Sequence, residues 1–157
     1  MLVPGCLACD ILAGLIDPPG GVIYADDYWQ VEHGLNPIAL RGWLILKPRR
    51  HVEHIADLTP AEVAGLGPLL SELTQALTRA VRPDKIYVMS MGEAVKHIHF
   101  YLVPRYPDMP ANGLEVLHGM FIAHAWECSP AEAAGVAALV RAELQHQLSA
   151  REWLAPI

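Results

Sequence analysis

Short runs rich in β-branched and aromatic residues, separated by turn residues, predict a set of β-strands along this chain. The first two runs flank Asp26-Asp27, as two short strands joined in a hairpin would. The Pro/Gly cluster at residues 17–21 predicts a surface turn before them. The pattern predicts five strands in all, at residues 22–25, 28–32, 42–46, 85–89 and 96–103.

Two longer segments carry the period of an amphipathic helix. The first begins with the capping-box pattern Thr59-Pro60-Ala61-Glu62, and leucines follow it at positions 66, 69, 70, 73 and 77. Pro68 lies inside this helix, and because an interior proline costs about 3 kcal/mol, we expect a kink or a displaced start. The second helix begins at Ser129-Pro130-Ala131-Glu132 and closes the domain.

The order of these elements indicates the fold class. The strands are grouped around one long central helix, which favours an antiparallel sheet covered by helices over a doubly wound parallel sheet. The chain has 157 residues, of which 53% are hydrophobic, and no repeat or long linker divides it. We therefore predict a single α+β domain over residues 1–157.

Composition argues against two classes of partner. The net charge is −6 with only 11 Lys+Arg, whereas binding to a nucleic-acid backbone draws on clustered basic residues. The N-terminus lacks a basic segment followed by an apolar one, and no window approaches the length of a membrane span. We expect a soluble cytoplasmic protein, with neither bulk nucleic acid nor a membrane as its partner.

The cysteines point to metal or redox chemistry. There are three, and Cys6 and Cys9 stand at C-x-x-C spacing rather than spread along the chain like a disulfide framework. The pair is compatible with a metal site, a reduced thiol pair or a redox motif, although the βαβ context of a redox C-x-x-C is missing. Cys128 has no evident partner and is interpreted as a packing residue.

Two histidines and a tyrosine alternate with apolar residues in the fifth predicted strand. On a strand, His97, His99 and Tyr101 project from one face, while the residues between them enter the core. Imidazole suits nucleophilic and acid–base chemistry near neutral pH, and it is also the commonest metal ligand. The residues alone leave both roles open, together with a half-exposed strand that has neither role.

The segment 92–105, with the sequence GEAVKHIHFYLVPR, resembles the signature of the histidine triad (HIT) superfamily of nucleotide hydrolases and transferases. The resemblance extends from the Cys-x-x-Cys start, through the Asp-Asp hairpin and an Asn-Pro before a Gly-led strand, to the Leu-Thr-Pro-Ala-Glu helix start. It implies a five-stranded antiparallel sheet with helices and, often, a homodimer. The implied partner is a small nucleotide or nucleotide conjugate.

The resemblance also implies catalytic roles. His99 corresponds to the middle histidine of the signature, which attacks the α-phosphate of a nucleotide and forms a covalent nucleotidyl-histidine. Tyr101 stands where the signature has its third histidine. With a pKa of about 10, a phenol is a poor acid–base group at pH 7 but a usable hydrogen-bond donor. A glutamine in the uridylyltransferase branch shows that this position can change without loss of chemistry.

Four residues match the zinc positions of metal-bearing members of the superfamily. These implied ligands are Cys6, Cys9, His51 and His97. Two thiolates and two imidazoles suit tetrahedral zinc, and a closed four-ligand site is structural rather than catalytic. We expect this zinc to tether the N-terminal turn to the sheet and to orient His99 through His97. His54 is an alternative to His51 as a ligand.

A further set of residues is expected to contact substrate. This set comprises His33, Asn36, Glu93, Lys96 and Arg105. His33 is near the position at which family members bind the nucleoside, with a solvent-facing strand histidine as the alternative. Glu93 near a phosphate requires a cationic partner, for which Lys96 and Arg105 are the candidates. Gly34 stands where many members place an aspartate that holds the ribose hydroxyls.

Two functions follow from these residues. The first is a zinc-containing nucleotide hydrolase or nucleotidyl transferase that acts on phosphoanhydride or phosphoramidate bonds through His99. The second is a nucleotide or phospho-ligand sensor with weak or no catalysis. The replacements at Tyr101, Glu93, Ala94 and Gly34 support this second hypothesis, because all four lie where substrate is expected to bind.

Overall fold

The computed structural model describes residues 1–35, 37 and 39–152, without the side chains of residues 150–152. Its centre is a five-stranded antiparallel sheet with strand order β1-β2-β3-β5-β4. The strands are β1 (Val22–Ala25), β2 (Trp29–His33), β3 (Leu44–Pro48), β4 (Lys85–Met89) and β5 (Phe100–Arg105). The helices are α1 (Leu7–Leu12), α2 (Pro60–Val81), α3 (Gly113–Phe121) and α4 (Pro130–Glu152), with a 3-10 turn at Ile55–Asp57. The predicted α+β class with an antiparallel sheet is confirmed.

Strands β1 and β4 have the predicted bounds, whereas the other three begin later than predicted. The difference is largest at β5, because the residues before Phe100 leave the ladder. The N–H of Ile98 donates to the carbonyl of Val52 at 2.6 Å, and Pro48 at the end of β3 has no N–H to offer. The two histidines of the signature therefore lie in an extended segment that leads into β5.

Helix α2 begins where its capping box predicts. The Thr59 side chain accepts from the Glu62 N–H at 3.3 Å, and the Glu62 carboxylate accepts from the Thr59 N–H at 2.6 Å. The helix starts at Pro60 and continues through Pro68 to Val81, so the displaced start is excluded. Pro68 is exposed, so water can reach the carbonyl that lacks an N–H partner.

One face of the sheet packs against α2 and α4 and forms the main core. Its strand residues include Trp29, Val31, Leu44, Leu46 and Leu102, all of them fully buried. They share a face because the antiparallel register pairs Val31 with Leu46 and Leu44 with Leu102. Each such side chain contributes about 1.5–3 kcal/mol through burial. We call this side of the sheet the apolar face.

The opposite side of the sheet is covered by the two shorter helices. Around α3, a second apolar cluster includes Val103, Met109, Val116 and Met120. Neither α1 nor α3 was predicted, and α1, with six residues, is shorter than two helical turns. We call this side the polar face, because Glu32, Lys47 and the two signature histidines lie on it. None of the described helices combines the length and apolar composition that crossing a membrane requires.

Candidate functional site

Helix α1 and the residue before it bring two cysteines against two histidines from distant parts of the chain. Cys9 Sγ lies 3.4 Å from Nδ1 of His51 and 3.4 Å from Nδ1 of His97. Cys6 Sγ lies 3.9 Å from the same nitrogen of His97. One ligand atom from each of the four residues lies within 4.8 Å of the others. The structure thus brings the four predicted ligands together, with His51 rather than His54 in the group.

Both imidazoles of this cluster are oriented by a second partner. His97 donates its Nε2–H to the carbonyl of Pro48 at 2.9 Å, which leaves Nδ1 unprotonated toward the thiols. His51 Nε2 lies 3.5 Å from a carboxylate oxygen of Glu53. Burial lowers the pKa of His97 to about 4, so its ring is neutral near pH 7. Such outer partners fix the ring orientation of metal-binding histidines.

The donor set and its spacing fit zinc. Zinc binds cysteine sulfur at about 2.3 Å and histidine nitrogen at about 2.0–2.1 Å, so neighbouring ligand atoms on a tetrahedron lie roughly 3.3–3.8 Å apart. The two sulfur–nitrogen distances of Cys9, 3.4 Å each, fall in this range, and that of Cys6, 3.9 Å, is slightly longer. A closed set of four protein ligands leaves no position for substrate, which is the pattern of a structural site. The cluster therefore supports zinc binding.

His99 is held in one tautomer. Its Nδ1–H donates to the carbonyl of His97 at 2.8 Å. Its Nε2 is then unprotonated and accepts a hydrogen bond from the Tyr101 hydroxyl at 2.8 Å. The two rings are tilted against each other with their centroids 4.7 Å apart. The arrangement presents the Nε2 lone pair, which is the nucleophilic position of a neutral imidazole.

Burial sets the protonation of both side chains. Burial lowers the pKa of His99, and the ammonium of Lys47 lowers it further, against opposing effects from the His97 carbonyl and Glu93. Burial raises the pKa of Tyr101, and the negative charge of Glu93 adds to this effect. Near pH 7 the imidazole is therefore neutral and the phenol protonated. The pair can supply a nucleophile and a hydrogen-bond donor.

A cavity of about 240 Å³ opens beside His99. This volume is slightly below the range typical of ligand pockets, about 300–1,000 Å³, so the cavity fits one end of a nucleotide-sized molecule. Its walls come from α1, β2, β3 and the segment that leads into β5. Apolar side chains predominate in the lining, which consists of Leu7, Ala8, Ile11, Glu32, Leu35, Pro37, Trp43, Ile45, Val95, His99 and Tyr101.

Sequence reasoning missed a buried ion pair in this wall. Lys47 Nζ contacts Glu32 Oε1, and the two side chains are 1% and 0% exposed. Gln30 Nε2 lies 3.5 Å from the other carboxylate oxygen of Glu32. Burial lowers the pKa of Lys47 to about 7, against the smaller opposing effect of negative charge on Cys6 and Cys9. The period-2 alternation of β2 and β3 could have found the pair, because it places these polar residues on the polar face.

His33 lies in the core. It is on the apolar face of β2, opposite Leu44, and is fully buried. Its Nδ1–H donates to the carbonyl of Gly34 at 3.2 Å, and its Nε2 accepts from the N–H of Gly42 at 2.8 Å. Both ring nitrogens are thus used within the fold, and burial lowers the pKa of the ring to about 4. We expected His33 either to contact substrate or to face solvent. Its buried, fully hydrogen-bonded ring fits neither expectation.

Two of the other predicted substrate residues, Glu93 and Lys96, lie within the signature segment, before its first histidine. Glu93 is exposed, and its charge acts on His99 and Tyr101. Lys96 is also exposed and lines a different, wider cavity of about 620 Å³. Asn36 lies outside the described residues. Among the described members of the predicted substrate-binding set, Glu93 is the one whose charge acts on the pKa of His99.

Arg105 lies at the far end of β5. It is six residues beyond His99, a distance of roughly 20 Å along an extended chain. Its guanidinium donates to the carbonyl of Ala111 at 2.8 Å and lies 3.6 Å from a carboxylate oxygen of Asp84. Arg105 therefore joins β5 to neighbouring loops, with Ala111 and Asp84 as its partners. Its contact with substrate stays a prediction.

The sequence and the fold of this chain are similar to those of known proteins. The HIT domain model matches residues 17–108, which include all five strands. An uncharacterised HIT-like protein of Saccharolobus solfataricus is 26% identical over 110 residues, which cover 67% of this chain and 77% of the relative. The residues that the HIT domain model matches contain the signature segment and the two histidines that approach the cysteines.

Two solved structures extend the likeness over most of the chain. A zinc-bound histidine triad family protein from Mycobacterium smegmatis superposes with a TM-score of 0.69 at 24% identity, covering 93% of this chain and 97% of that one. The diadenosine triphosphate hydrolase of Plasmodium falciparum gives a TM-score of 0.62 at 16% identity, with coverages of 84% and 80%. At these identities the likeness establishes the fold. Since the family model matches more than half of the sequence, this chain belongs to the HIT domain family.

Proposed function

We propose that this protein is a zinc-containing nucleotide hydrolase or nucleotidyl transferase that acts on phosphoanhydride or phosphoramidate bonds, with His99 as its nucleophile. The observation that carries the proposal is the tautomer of His99. Its Nδ1–H is held by the His97 carbonyl at 2.8 Å, which leaves Nε2 unprotonated beside the cavity, where its lone pair accepts from the Tyr101 hydroxyl. A neutral imidazole is nucleophilic, and the phosphorus–nitrogen bond that it forms is labile enough to break again.

The reaction has two displacement steps at phosphorus. In the first, Nε2 of His99 attacks, a phosphorus–nitrogen bond forms, and the bond to the leaving group breaks with its electron pair. When the leaving group is a phosphate, it leaves as an anion. When the leaving group is an amine, it takes a proton from solvent. In the second, water or another acceptor attacks the phosphorus, the phosphorus–nitrogen bond breaks, and the acceptor's proton passes to solvent. The His97 carbonyl stabilises the transient imidazolium through Nδ1–H.

Tyr101 would act as a hydrogen-bond donor. Since burial raises its pKa, the phenol stays protonated near pH 7. In the free protein the hydroxyl donates to Nε2 of His99 at 2.8 Å, so an arriving phosphoryl group must take its place. Breaking one hydrogen bond costs about 1 kcal/mol. The hydroxyl can recover this by donating to a phosphate oxygen instead.

The zinc would be held by Cys6, Cys9, His51 and His97, and when bound it supplies a fixed structural link. His97 connects the metal to the nucleophile, because its ring faces the thiols and its carbonyl accepts from Nδ1 of His99. His97 is therefore a positioning residue. Cys9 lies within α1, a helix that also lines the cavity. The zinc-bound family member from Mycobacterium smegmatis supports this assignment.

The variant His99→Ala tests the proposal. We expect release of nucleoside monophosphate from dinucleoside polyphosphates and nucleoside phosphoramidates to fall by at least about 10⁴-fold, because a nucleophile is removed. Zinc content should stay equal to that of the wild type. His118→Ala is the matched control, since it replaces an exposed histidine of α3. Full activity in His99→Ala would overturn the mechanism.

A nucleotide-binding protein without turnover is the second candidate. The observation that favours it is the Tyr101 hydroxyl on Nε2 of His99, since this contact occupies the lone pair. A ligand that leaves the contact intact binds without reacting. Calorimetry with nucleoside monophosphates, together with the same activity assays, separates the candidates. Binding by the wild type with no turnover on any class of substrate favours the sensor, and a rate that falls in Tyr101→Phe favours the enzyme.

The partner and assembly complete the proposal. The partner would be a nucleotide or nucleotide conjugate, in keeping with the hydrolase among the structural neighbours. The homodimer and the cytoplasmic location stay predictions. Analytical ultracentrifugation of the zinc-loaded protein measures the first, and fractionation of the source cells measures the second.

A further inference from the structure

The two cysteines of the zinc cluster differ in their access to solvent. Cys9 is 1% exposed, and its Sγ lies between two imidazoles, 3.4 Å from Nδ1 of His51 and 3.4 Å from Nδ1 of His97. Cys6 is only half-buried and follows five exposed residues, and its Sγ lies 3.9 Å from Nδ1 of His97. The cluster thus has an inner and an outer thiol, and a reagent that arrives from solvent meets Cys6 first.

The two sulfurs are also placed to bond to each other. Their Sγ atoms lie within 4.8 Å, and residues three apart in a helix have Cα atoms roughly 5 Å apart, inside the range of about 4.4–6.8 Å that disulfides span. Cys6 has an extended backbone and precedes α1, whereas Cys9 lies in its first turn. The Cys6 side chain can therefore rotate toward Cys9 without unwinding the helix. Cys128, the remaining cysteine, lies outside the cluster.

The chemistry of a zinc site makes this pair responsive to an oxidant. Cysteines bind zinc as thiolates, and the thiolate is also the form that attacks a disulfide. A structural zinc site needs four ligands, of which these two sulfurs are half. Once the sulfurs are bonded to each other, they lose the negative charge that holds the metal. Only His51 and His97 of the predicted ligands then remain, and two imidazoles do not complete such a site.

We propose that Cys6 and Cys9 form a redox-responsive modification site, at which a low-molecular-weight disulfide oxidises the zinc-bound pair to an intramolecular disulfide and zinc is released. The Cys6 thiolate attacks one sulfur of the oxidant, a mixed disulfide forms, and the other half leaves as a thiolate with its electron pair. The Cys9 thiolate then attacks Sγ of Cys6, the Cys6–Cys9 bond forms, and the second half leaves as a thiolate. Two electrons pass from the cysteines to the oxidant. Both departing thiolates take protons from solvent, and the zinc ion keeps its charge.

The modification site is connected to the nucleophile through His97. The His97 ring faces the thiols, and its carbonyl accepts from Nδ1–H of His99 at 2.8 Å. This consequence rests on the proposed function, because it concerns the geometry of the attacking imidazole. Oxidation removes the link between the His97 ring and the thiols, as the loss of an outer partner does in other metal sites. We expect turnover to fall by about 10- to 100-fold in the oxidised protein.

Oxidation of the zinc-loaded protein by glutathione disulfide tests the site. The Cys128→Ser variant is used, because it leaves the two cluster thiols as the only ones in the chain. We expect one zinc per chain to be released to a chromophoric chelator, and the intact mass to be lower than that of the reduced protein by two hydrogen atoms. Dithiothreitol together with zinc should reverse both changes. If zinc is retained and both thiols can still be alkylated, the proposal is overturned. A glutathione adduct that never resolves into the intramolecular disulfide also overturns it.

The order of the two steps is tested by stopping the reaction early with iodoacetamide. We expect peptide mass spectrometry to find the first glutathione adduct on Cys6, with Cys9 alkylated, because Cys6 is the outer thiol. A first adduct on Cys9 would contradict the roles assigned to the two sulfurs. Both experiments keep all four zinc ligands in place, so a loss of folding in a ligand variant does not affect them.

Zinc release and intact mass are measured without a substrate, so this inference and the proposed function fail separately. If the reduced protein turns over no nucleotide, but oxidation forms the disulfide and releases zinc, the catalytic proposal fails and the modification site stands. If turnover depends on His99, but the oxidant leaves zinc in place, the modification site alone fails. Equal turnover by the reduced and the oxidised protein would overturn the link to His99.

Discussion

The two faces of the sheet bury different kinds of residue: apolar side chains on one, and charged and polar side chains, beside the apolar cluster of α3, on the other. On the apolar face, Leu44 is 0% exposed, and on the polar face, Lys47 is 1% exposed. The first kind of burial stabilises the fold through removal of apolar surface from water. The second holds an ion pair, two imidazoles and a thiol out of water, which costs free energy unless each group is paired. Stability and chemistry are thus divided between the faces.

Three buried histidines differ in role according to the face of the sheet on which they lie. His33, His97 and His99 are all at most 5% exposed, and burial lowers the pKa of each. His33 lies on the apolar face, and both of its ring nitrogens are used by the backbone. The other two lie on the polar face, where side chains from α1 and β5 meet their rings. The face on which a buried histidine lies therefore decides its role, and its burial does not.

The largest expected effect comes from removing a metal ligand on the polar face. We expect Cys9→Ala to lose stoichiometric zinc and about 5 kcal/mol or more of stability, because structural zinc contributes roughly 10 kcal/mol or more to the folding of small zinc domains. Zinc content by mass spectrometry and urea unfolding check this. Cys128→Ala replaces the cysteine outside the cluster and should keep its zinc. Zinc retained by Cys9→Ala would contradict the assignment.

The next effect comes from breaking the buried ion pair. We expect Lys47→Met to cost about 3–5 kcal/mol, because it leaves the Glu32 carboxylate buried without its partner. Adding Glu32→Leu should recover most of this loss. Arg79→Met breaks the exposed pair with Glu143 and should cost less than about 1 kcal/mol. Urea unfolding measures all three, and equal losses for Lys47→Met and Arg79→Met would contradict the effect assigned to burial of the pair.

A core truncation on the apolar face should affect stability alone. We expect Leu46→Ala to cost about 3 kcal/mol, because Leu46 is fully buried and its loss leaves a cavity. Zinc content and kcat per folded molecule should not change. Val63→Ala, at an exposed position of α2, is the control and should be nearly neutral. A fall in zinc content with Leu46→Ala would show that the faces are coupled.

The smallest expected effect is the pH dependence due to His33. Burial lowers its pKa from 6.5 to about 4, so between these values the unfolded chain binds a proton that the folded chain does not. Stability therefore falls as the pH falls through this window. From pH 7 to pH 5 we expect this residue to cost about 2 kcal/mol. In His33→Gln the loss measured by urea unfolding should be smaller by that amount, and an identical loss would contradict the assignment.

Periodicity predicted the larger elements well. Helix α2 begins at its capping box, and five strands form where β-branched and aromatic runs occur. The pattern overextended β5 because His97 and His99 alternate with apolar residues, as a strand would. Their segment instead bonds to the carbonyl of Val52, a tertiary contact that lies outside any local pattern. Helix α1 was missed because six residues are too few to show a helical period.

The four candidate zinc ligands were predicted from sequence motifs. The other parts of the site became apparent only from the fold. Spacing alone could not bring His51 to Cys9, 42 positions away in sequence, but the resemblance to the family did. The role of Glu32 and Lys47 emerges only once β2 and β3 are paired in register. No sequence pattern sets Trp43 apart from the other tryptophans, because its close packing against Gly34 arises only in the folded chain.

Helix α1 links two tasks within six residues. It carries Cys9, and its Leu7, Ala8 and Ile11 form part of the cavity wall. An isolated helix of this length is not stable in water, so its position depends on what anchors it. Its buried residues Ala8 and Ile11 supply one anchor, and zinc, when bound through Cys9, would supply another. The metal site and one wall of the cavity are therefore parts of the same short segment.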